Sequence, residues 1–325
     1  MSKRLVNTAK TCLKDYNQVF MLLIVVVVAT YMTRGVFLRP SNLMGLISRA
    51  SILGIIAFAQ ALVVISGGFD LSVGSLVAFA ITIIAAVNKS SGLLAATLAA
   101  MIATAALGAV NGTLIVKTRI PPFIVTIGML SMARSASWLI IGSRDIVFYY
   151  YKDTIQPLFA RWPGGPNFFP ILVLGLALAG SWLLLHKSTF GRYLYAIGGN
   201  EKTAIASGVP VKRTKVLVYT LSGFMCSVAA IVYLYRICGA SPAMGEEYLL
   251  ESIAAITIGG VSLHGGEGSV WGVLIGIFVL VSITSVLTIA GIRPAVSNAV
   301  LGGIVLGAVL IQQWLKRSRL FVSVN

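Results

Sequence analysis

Long apolar runs separated by short polar connections cover the chain from residue 17 to residue 315. A helix that crosses a bilayer needs about 20 predominantly apolar residues, and most of the runs approach this length. The pattern predicts about ten membrane-spanning helices, near residues 17–34, 46–66, 73–88, 92–116, 122–142, 168–186, 214–236, 250–262, 269–290 and 296–315. The run at 250–262 is too short to cross alone, so it is either lengthened by flanking residues or forms a broken or re-entrant helix buried among its neighbours.

Composition supports an all-α polytopic membrane protein. Hydrophobic residues make up 58% of the 325 residues and charged residues only 10%, whereas a soluble domain carries roughly 25% charged residues. The predicted spans leave no room for a soluble domain, so we expect a single transmembrane domain, 1–325, with a short segment 1–16 before the first span. Any energy-coupling or catalytic domain is then expected on other chains.

The net charge of +16 is better explained by membrane topology than by a nucleic-acid partner. The basic residues lie in the gaps between apolar runs and form no clustered face of the kind that binds DNA or RNA. Because positive charge is retained on the cytoplasmic side of a membrane, the basic segment 187–215 is predicted to be cytoplasmic. An even number of spans then places both termini in the cytoplasm as well.

A polar stretch interrupts the apolar pattern at residues 66–75. Gly67 and Gly68 release the backbone from helical geometry, while Asp70 and Ser72 can cap the next helix by accepting from its free amide groups. A carboxylate inside a membrane costs about 2.5–3.5 kcal/mol and must be capped, paired or facing water. Asp70 is therefore either a cap or part of a transport pathway, and Arg49 is its predicted ionic partner.

A second glycine-rich interruption lies at residues 259–269 and again contains paired glycines, an acid and a hydroxyl. Broken segments in corresponding halves surround the pathway of internally duplicated transporters, so the two stretches are consistent with an internal pseudo-repeat. Asn111, Gln60 and Arg134 also lie within apolar runs and need polar partners. Bonding between helices and lining of a pathway both satisfy that need, and Asn111 is the better pathway candidate.

The basic segment 187–215 contains a predicted short helix. Gly199 and Asn200 precede an alanine-containing stretch that ends at Gly208, with Pro210 just beyond. These residues alone favour a solvated loop anchored by positive charge, and the alternative is a docking element for another protein.

Five blocks of the sequence together resemble one family, the permeases of bacterial ATP-binding-cassette (ABC) importers for monosaccharides, typified by the ribose and galactose systems. The blocks follow the order of the family from about residue 42 to residue 315. They are Gly67–Ser75, Asn111–Gly112, Pro121–Thr126, Thr189–Arg192 with Ala196–Asn200, and Ile253–Ala255 with Ile258–Gly260.

The resemblance implies a permease in the bacterial inner membrane with no enzymatic activity of its own. A periplasmic binding protein would deliver the solute, a cytoplasmic ATPase subunit would bind ATP and Mg²⁺, and a second permease copy, identical or different, would complete a dimer. No catalytic residue, metal site or cofactor is expected in this chain. The residues that the resemblance assigns to the substrate pathway or its gate are Asp70, Ser72, Asn111, Phe123 and Glu251. Those assigned to ATPase coupling are Gly191, Arg192, Gly198, Gly199, Asn200, Glu201 and Gly208.

Departures from the family pattern bear on the solute more than on the transport role. Glu251 stands where an aspartate is usual, and His264 to Glu267 form an unusual version of the glycine turn. A nucleoside or another small solute is therefore an alternative cargo.

The principal rival function is that of a stand-alone secondary transporter, with Asp70 or Glu267 binding the coupling ion. A membrane enzyme is disfavoured because the two histidines, His186 and His264, are isolated from each other in the sequence.

Overall fold

The computed structural model describes residues 17–142, 146–147 and 168–322. The predicted segment 1–16 and most of the connection 143–167 lie outside these residues. Within them the chain forms helices joined by short connections. In order these are α1 Asn17–Met32, α2 Pro40–Ile65, α3 Val73–Thr118, α4 Pro122–Ile141, α5 Phe168–Trp182, α6 Thr189–Gly199, α7 Glu201–Ala206, α8 Val211–Ile237, α9 Glu246–Ile258, α10 Val270–Ile289 and α11 Pro294–Val322.

Four smaller elements are also present in the described residues. A 3₁₀ turn, Val36–Leu38, precedes α2, and a π-helical turn, Leu183–Lys187, extends α5. The two-residue strands β1, Ile146–Val147, and β2, Gly239–Ala240, pair antiparallel.

Six helical segments in the described part of the chain are long and apolar enough to cross a membrane. They are Pro40–Ile65, Ser90–Thr118, Pro122–Ile141, Phe168–Lys187, Val211–Ile237 and Val270–Ile289. Three shorter apolar helices accompany them, namely Gln18–Met32, Val73–Asn88 and Ala295–Gly307. The predicted all-α, multi-pass class is confirmed, whereas the predicted number of about ten spans stays a prediction.

The α3 helix is two apolar segments joined at a break. Gly92 has φ 78° and ψ 168°, values outside helical geometry and available to glycine at little cost. The break at Gly92 coincides with the first residue of the span predicted at 92–116, so the sequence located this interruption to within a few residues.

The interior of the bundle is built around α2. In α2, 89% of the most apolar 18-residue stretch is buried. The corresponding fraction is 22% in each of three other segments, namely the second half of α3, α4, and α5 with its π-helical turn. Those three helices present large apolar side chains outward: Leu94 is 75% exposed, Leu139 86% and Leu176 64%. Continuous apolar surface of this kind is unfavourable in water and favourable against lipid, which fits the membrane assignment.

Several helix boundaries differ from the predicted spans. The helix α2 begins at Pro40 rather than near residue 46, because proline is well suited to the first helical turn. Val211 begins α8 directly after Pro210, three residues before the predicted start. The short predicted span at 250–262 is α9, which begins at Glu246 and ends at Ile258.

Candidate functional site

The first glycine interruption ends α2 in a Schellman motif. Gly67 has φ 77°, and its N–H donates to the carbonyl of Val64 at 2.9 Å, while the N–H of Gly68 donates to the carbonyl of Val63 at 3.0 Å. This pair of bonds satisfies carbonyl groups that the end of a helix leaves free, and it requires a residue in the left-handed region. The chain therefore leaves α2 at a fixed angle.

The second glycine interruption ends α9 in the same way. Gly260 has φ 81°, its N–H donates to the carbonyl of Thr257 at 3.0 Å, and the N–H of Val261 donates to that of Ile256 at 2.9 Å. The two interruptions thus share one hydrogen-bond pattern at the point where each helix stops. This is the local similarity that the paired glycines predicted, and an internal repeat of the whole chain remains a prediction.

Asp70 lies fully buried between α2 and α3. Its Oδ1 accepts from the amide of Ser72 at 2.9 Å and from the Ser72 hydroxyl at 2.5 Å, and its Oδ2 accepts from the Ser222 hydroxyl at 3.0 Å. The predicted pairing with Arg49 is wrong, because the Arg49 guanidinium binds Glu251. Three donated hydrogen bonds, not a cation, satisfy this carboxyl group.

Two residues of α8 that the sequence did not single out hold the same segment. The Tyr219 hydroxyl accepts from the amide of Phe69 and donates to its carbonyl, each at 3.2 Å, and Ser222 bonds Asp70. A Cβ at Gly68 would lie 2.6 Å from the Tyr219 hydroxyl oxygen, so the tyrosine also explains this glycine. The available signal was hydroxyl side chains inside an otherwise apolar helix.

Asn111 of α3 reaches the same group of polar side chains, as its position in an apolar run suggested. Its Nδ2 donates to the Ser72 hydroxyl at 3.1 Å, and its buried Oδ1 has no partner among the described residues. Ser72 precedes α3, but its side chain makes no capping bond to the helix, so the capping interpretation is wrong for this hydroxyl. Phe123 is not part of the cluster: it lies half exposed in the first turn of α4. We define the Asp70 cluster as Asp70, Ser72, Asn111, Tyr219 and Ser222.

Glu251, the remaining predicted pathway residue, occupies a different place. It is buried in α9, and its Oε1 lies 2.6 Å from the guanidinium of Arg49 in α2. A second ion pair, Arg134 with Glu246, joins α4 to the first turn of α9. Two charge pairs therefore tie the short helix α9 to two long helices.

The two glycine interruptions and the end of α6 meet at one place, the glycine junction, formed by Gly67, Gly198, Gly265 and Gly266. The amide of Gly266 donates to the carbonyl of Ile65 at 2.9 Å. A Cβ at Gly198 would collide with both of these backbone groups, and one at Gly265 would lie 2.9 Å from the Cα of Gly67. Backbone contacts backbone directly, which only glycine allows.

Short helices α6 and α7 form the predicted coupling segment, and side chains define the start of each. Ser188 accepts from the amide of Gly191 at 3.1 Å, and Asn200 accepts from the amide of Thr203 at 3.0 Å. Both are N-caps, which satisfy amide groups that have no partner inside the helix. The short helix predicted after Asn200 is therefore confirmed.

The coupling segment is attached to the bundle by polar contacts as well as by the junction. Glu201 forms an ion pair with Lys215 of α8 at 2.7 Å, and the Tyr195 hydroxyl donates to the carbonyl of Gly268 at 2.8 Å. Most of the residues that the resemblance assigned to coupling lie on its exposed surface. These are Arg192, Gly199, Asn200, Glu201 and Gly208. Gly191 is buried against carbonyls of the π-helical turn, and Gly198 lies in the junction.

Comparison with known proteins decides the family. The model of the family described as "branched-chain amino acid transport system / permease component" matches residues 42–310. This chain belongs to that permease family. The permease is 36% identical to the ribose import permease protein RbsC of Bacillus subtilis over 90% of this chain and 91% of the relative. It is 32% identical to RbsC of Escherichia coli K12, over 93% and 94% of the two chains.

A relative named for another sugar is similarly close. The permease is 33% identical to the L-arabinose transport system permease protein AraH of Escherichia coli K12, over 86% of this chain and 84% of the relative. No solved structure matches the permease. All five blocks on which the resemblance rested fall inside the matched range 42–310, and the predicted extent of the resemblance, to about residue 315, goes five residues beyond it.

Proposed function

We propose that this permease is the membrane-spanning subunit of an ABC importer that carries a monosaccharide into the cell. The observation that carries the proposal is similarity over nearly the whole length to import permeases named for ribose and arabinose. The family description names branched-chain amino acids, yet relatives that match over most of the chain are named for sugars, including fructose. A neutral polyol also suits the hydroxyl and amide groups of the Asp70 cluster.

The energy source is a separate ATPase subunit that docks on the coupling segment, and a periplasmic binding protein delivers the sugar. Two capped short helices with an exposed polar surface offer a docking element of fixed shape. A second permease copy completes the membrane unit. The apolar faces of α3, α4 and α5 provide surface for this copy and for lipid.

The coupling segment faces the cytoplasm, and both termini lie on the same side. The Gln18 side chain, one residue into α1, donates to the carbonyl of Gly259 at 2.8 Å beside the second interruption, which places the start of α1 near the end of the bundle that carries the glycine junction. The chain crosses the membrane ten times if the three shorter apolar helices and α9 are counted with the six long segments.

Transport works through displacement of the coupling segment. Closure of the ATPase pair moves α6 and α7, and the junction passes this movement to both glycine interruptions. The segment that carries Asp70 then changes its position beside α3 and α8, which opens or closes the route for the sugar.

Uptake by reconstituted liposomes tests the proposal. The permease is inserted with its cognate ATPase, and the binding protein and labelled ribose, arabinose, fructose, uridine or leucine are supplied outside. We expect accumulation of one sugar only when ATP and both partners are present, and none with an ATPase that binds but does not hydrolyse ATP. Accumulation driven by a sodium or proton gradient without the ATPase would refute the importer and support a secondary transporter. Uptake of uridine or leucine alone would refute the sugar assignment and leave the ABC assignment intact.

A further inference from the structure

A cavity of about 750 Å³ lies outside the Asp70 cluster, between the turn that joins α3 to α4 and the connection from α7 to α8. One wall is formed by residues 115–116 at the end of α3 and by residues 119–122, which make the turn and the start of α4. The other wall includes Glu201, Ile205, residues 209–213 and Lys215, and Gly67 of the glycine junction completes the lining. A volume of this size is typical of sites for small molecules. The proposed transport function assigns roles to Gly67 and Glu201 in its wall but none to the cavity itself.

The lining is strongly basic. It contains Arg119, Lys212, Arg213 and Lys215 with Glu201 as its single acid. Because Glu201 is paired with Lys215 at 2.7 Å, the other three cations have no ion pair among the described residues. Three such charges around one cavity favour an anion, and phosphate oxygens are strong acceptors for Arg and Lys.

The cavity lies where lipid headgroups are expected. The apolar segment Ser90–Thr118 ends beside it, Pro122–Ile141 begins beside it, and Val211–Ile237 begins in its wall. The ends of three membrane-crossing segments mark the boundary between hydrocarbon and water.

An apolar surface continues from the cavity along α4. Ile120 in the lining is 40% exposed, and Phe123 and Ile124 in the first turn of α4 are each half exposed. An acyl chain can lie against these side chains while a phosphate group occupies the basic cavity. A ligand with an anionic head and apolar tails uses both features, whereas a free anion uses only the first.

We propose that this cavity binds the headgroup of an anionic phospholipid. The lipid contacts the coupling segment through the wall that carries Glu201 and Ile205, so its occupancy adjusts the position of α7. Basic cavities between membrane helices on the cytoplasmic side are suited to such headgroups. Continuity with the lipid-facing surface of α4 favours a lipid over an acidic segment of a protein partner.

Lipid binding to the purified permease, without the ATPase, tests the proposal. Native mass spectrometry measures the affinity for phosphatidylglycerol and for phosphatidylcholine with the same acyl chains. The pocket variant Lys212→Gln/Arg213→Gln is compared with Lys117→Gln/Lys187→Gln, which removes the same charge from exposed positions outside the lining. Each charge near an anionic headgroup contributes a factor of about five to affinity. We therefore expect about 30-fold weaker phosphatidylglycerol binding for the pocket variant and little change for the control.

Thermal stability and elution as a single species establish that both variants fold. Arg119→Asn supplies an independent loss of one charge from the opposite wall, since Arg119 has φ 60°, a conformation that asparagine accepts. Equal affinity for the two lipids, or equal losses in the pocket and control variants, would overturn the proposal. If the pocket variant kept phosphatidylglycerol binding and lost the ATPase in a pull-down, the cavity would accept a protein segment instead, and the lipid proposal would fail.

Discussion

Replacement of Gly198 by alanine should disrupt the glycine junction, whereas the same change at Gly199 should not. Neither glycine has positive φ, so the backbone at both positions accepts alanine. The new Cβ at Gly198 would overlap the carbonyl of Ile65 and the amide of Gly266, which are hydrogen-bonded to each other. At Gly199 no heavy atom lies within 4 Å of the corresponding Cβ.

The size of the effect follows from these contacts. An inserted methyl group in a packed site costs about 1–3 kcal/mol, and loss of the hydrogen bond from Gly266 to Ile65 adds about 0.5–1.5 kcal/mol. Gly198→Ala should therefore lower the free energy of unfolding by about 1.5–4.5 kcal/mol. Gly199→Ala, at an exposed position, should change it by less than about 0.5 kcal/mol.

Two measurements on purified permease check this prediction. Thermal unfolding in detergent should give a melting temperature several degrees lower for Gly198→Ala than for Gly199→Ala. Uptake in liposomes with both partners should fall for Gly198→Ala even at a temperature where the variant is fully folded, because α6 no longer abuts both interruptions. Equal melting temperatures and equal uptake for the two variants would show that the junction is not close-packed.

Three further substitutions address the remaining contacts. Tyr219→Phe leaves the Phe69 amide without its acceptor at a cost of about 1–3 kcal/mol, so uptake should fall several-fold, whereas Tyr233→Phe in the same helix removes a hydroxyl outside the cluster and should leave uptake unchanged. Arg49→Gln leaves the buried Glu251 carboxylate unpaired and should lower the unfolding free energy by about 3 kcal/mol. The double variant Arg49→Leu/Glu251→Leu should lower the unfolding free energy by less, because it leaves no unpaired charge. Equal decreases for the two variants would argue against the ion pair. Asn200→Ala removes the cap of α7, worth about 1 kcal/mol, and should weaken ATPase association in a pull-down, while Asn200→Asp should retain it.

Features of the fold that are local in sequence could be predicted, because they depend on backbone conformation. Paired glycines located both interruptions, and Asn200 with Gly208 located α7. The start of α2 was missed although Pro40 was a usable signal, since the apolar run itself begins later.

Long-range partners could not be predicted in the same way. Arg49 had two buried acids available, Asp70 and Glu251, and nothing local to either distinguishes them. Ser222 lies in an apolar run where a serine hydroxyl can bond its own helix, and the sequence does not say which segment the Tyr219 hydroxyl reaches. The role of both residues depends on how α8 packs beside residues 66–72. The meeting of Gly198 with both interruptions joins three distant parts of the chain and has no local signal.

One face of α8 connects the coupling segment to the Asp70 cluster. Lys215, Tyr219 and Ser222 are spaced i, i+4 and i+7, which places them on the same side of a helix, within about 10 Å along its axis. Lys215 forms an ion pair with Glu201 of the coupling segment, and the hydroxyls of Tyr219 and Ser222 donate hydrogen bonds to Phe69 and Asp70.

A double-mutant cycle tests this link, with each change in uptake rate converted to a free energy. The free-energy loss of the double variant Glu201→Gln/Tyr219→Phe should be smaller than the sum of the two single losses by at least about 0.5 kcal/mol. The pair Arg134→Gln and Tyr219→Phe should be additive, because Arg134 binds Glu246 away from this face. Additivity in both cycles would mean that the glycine junction alone transmits the proposed movement, and that α8 only supports the segment it contacts.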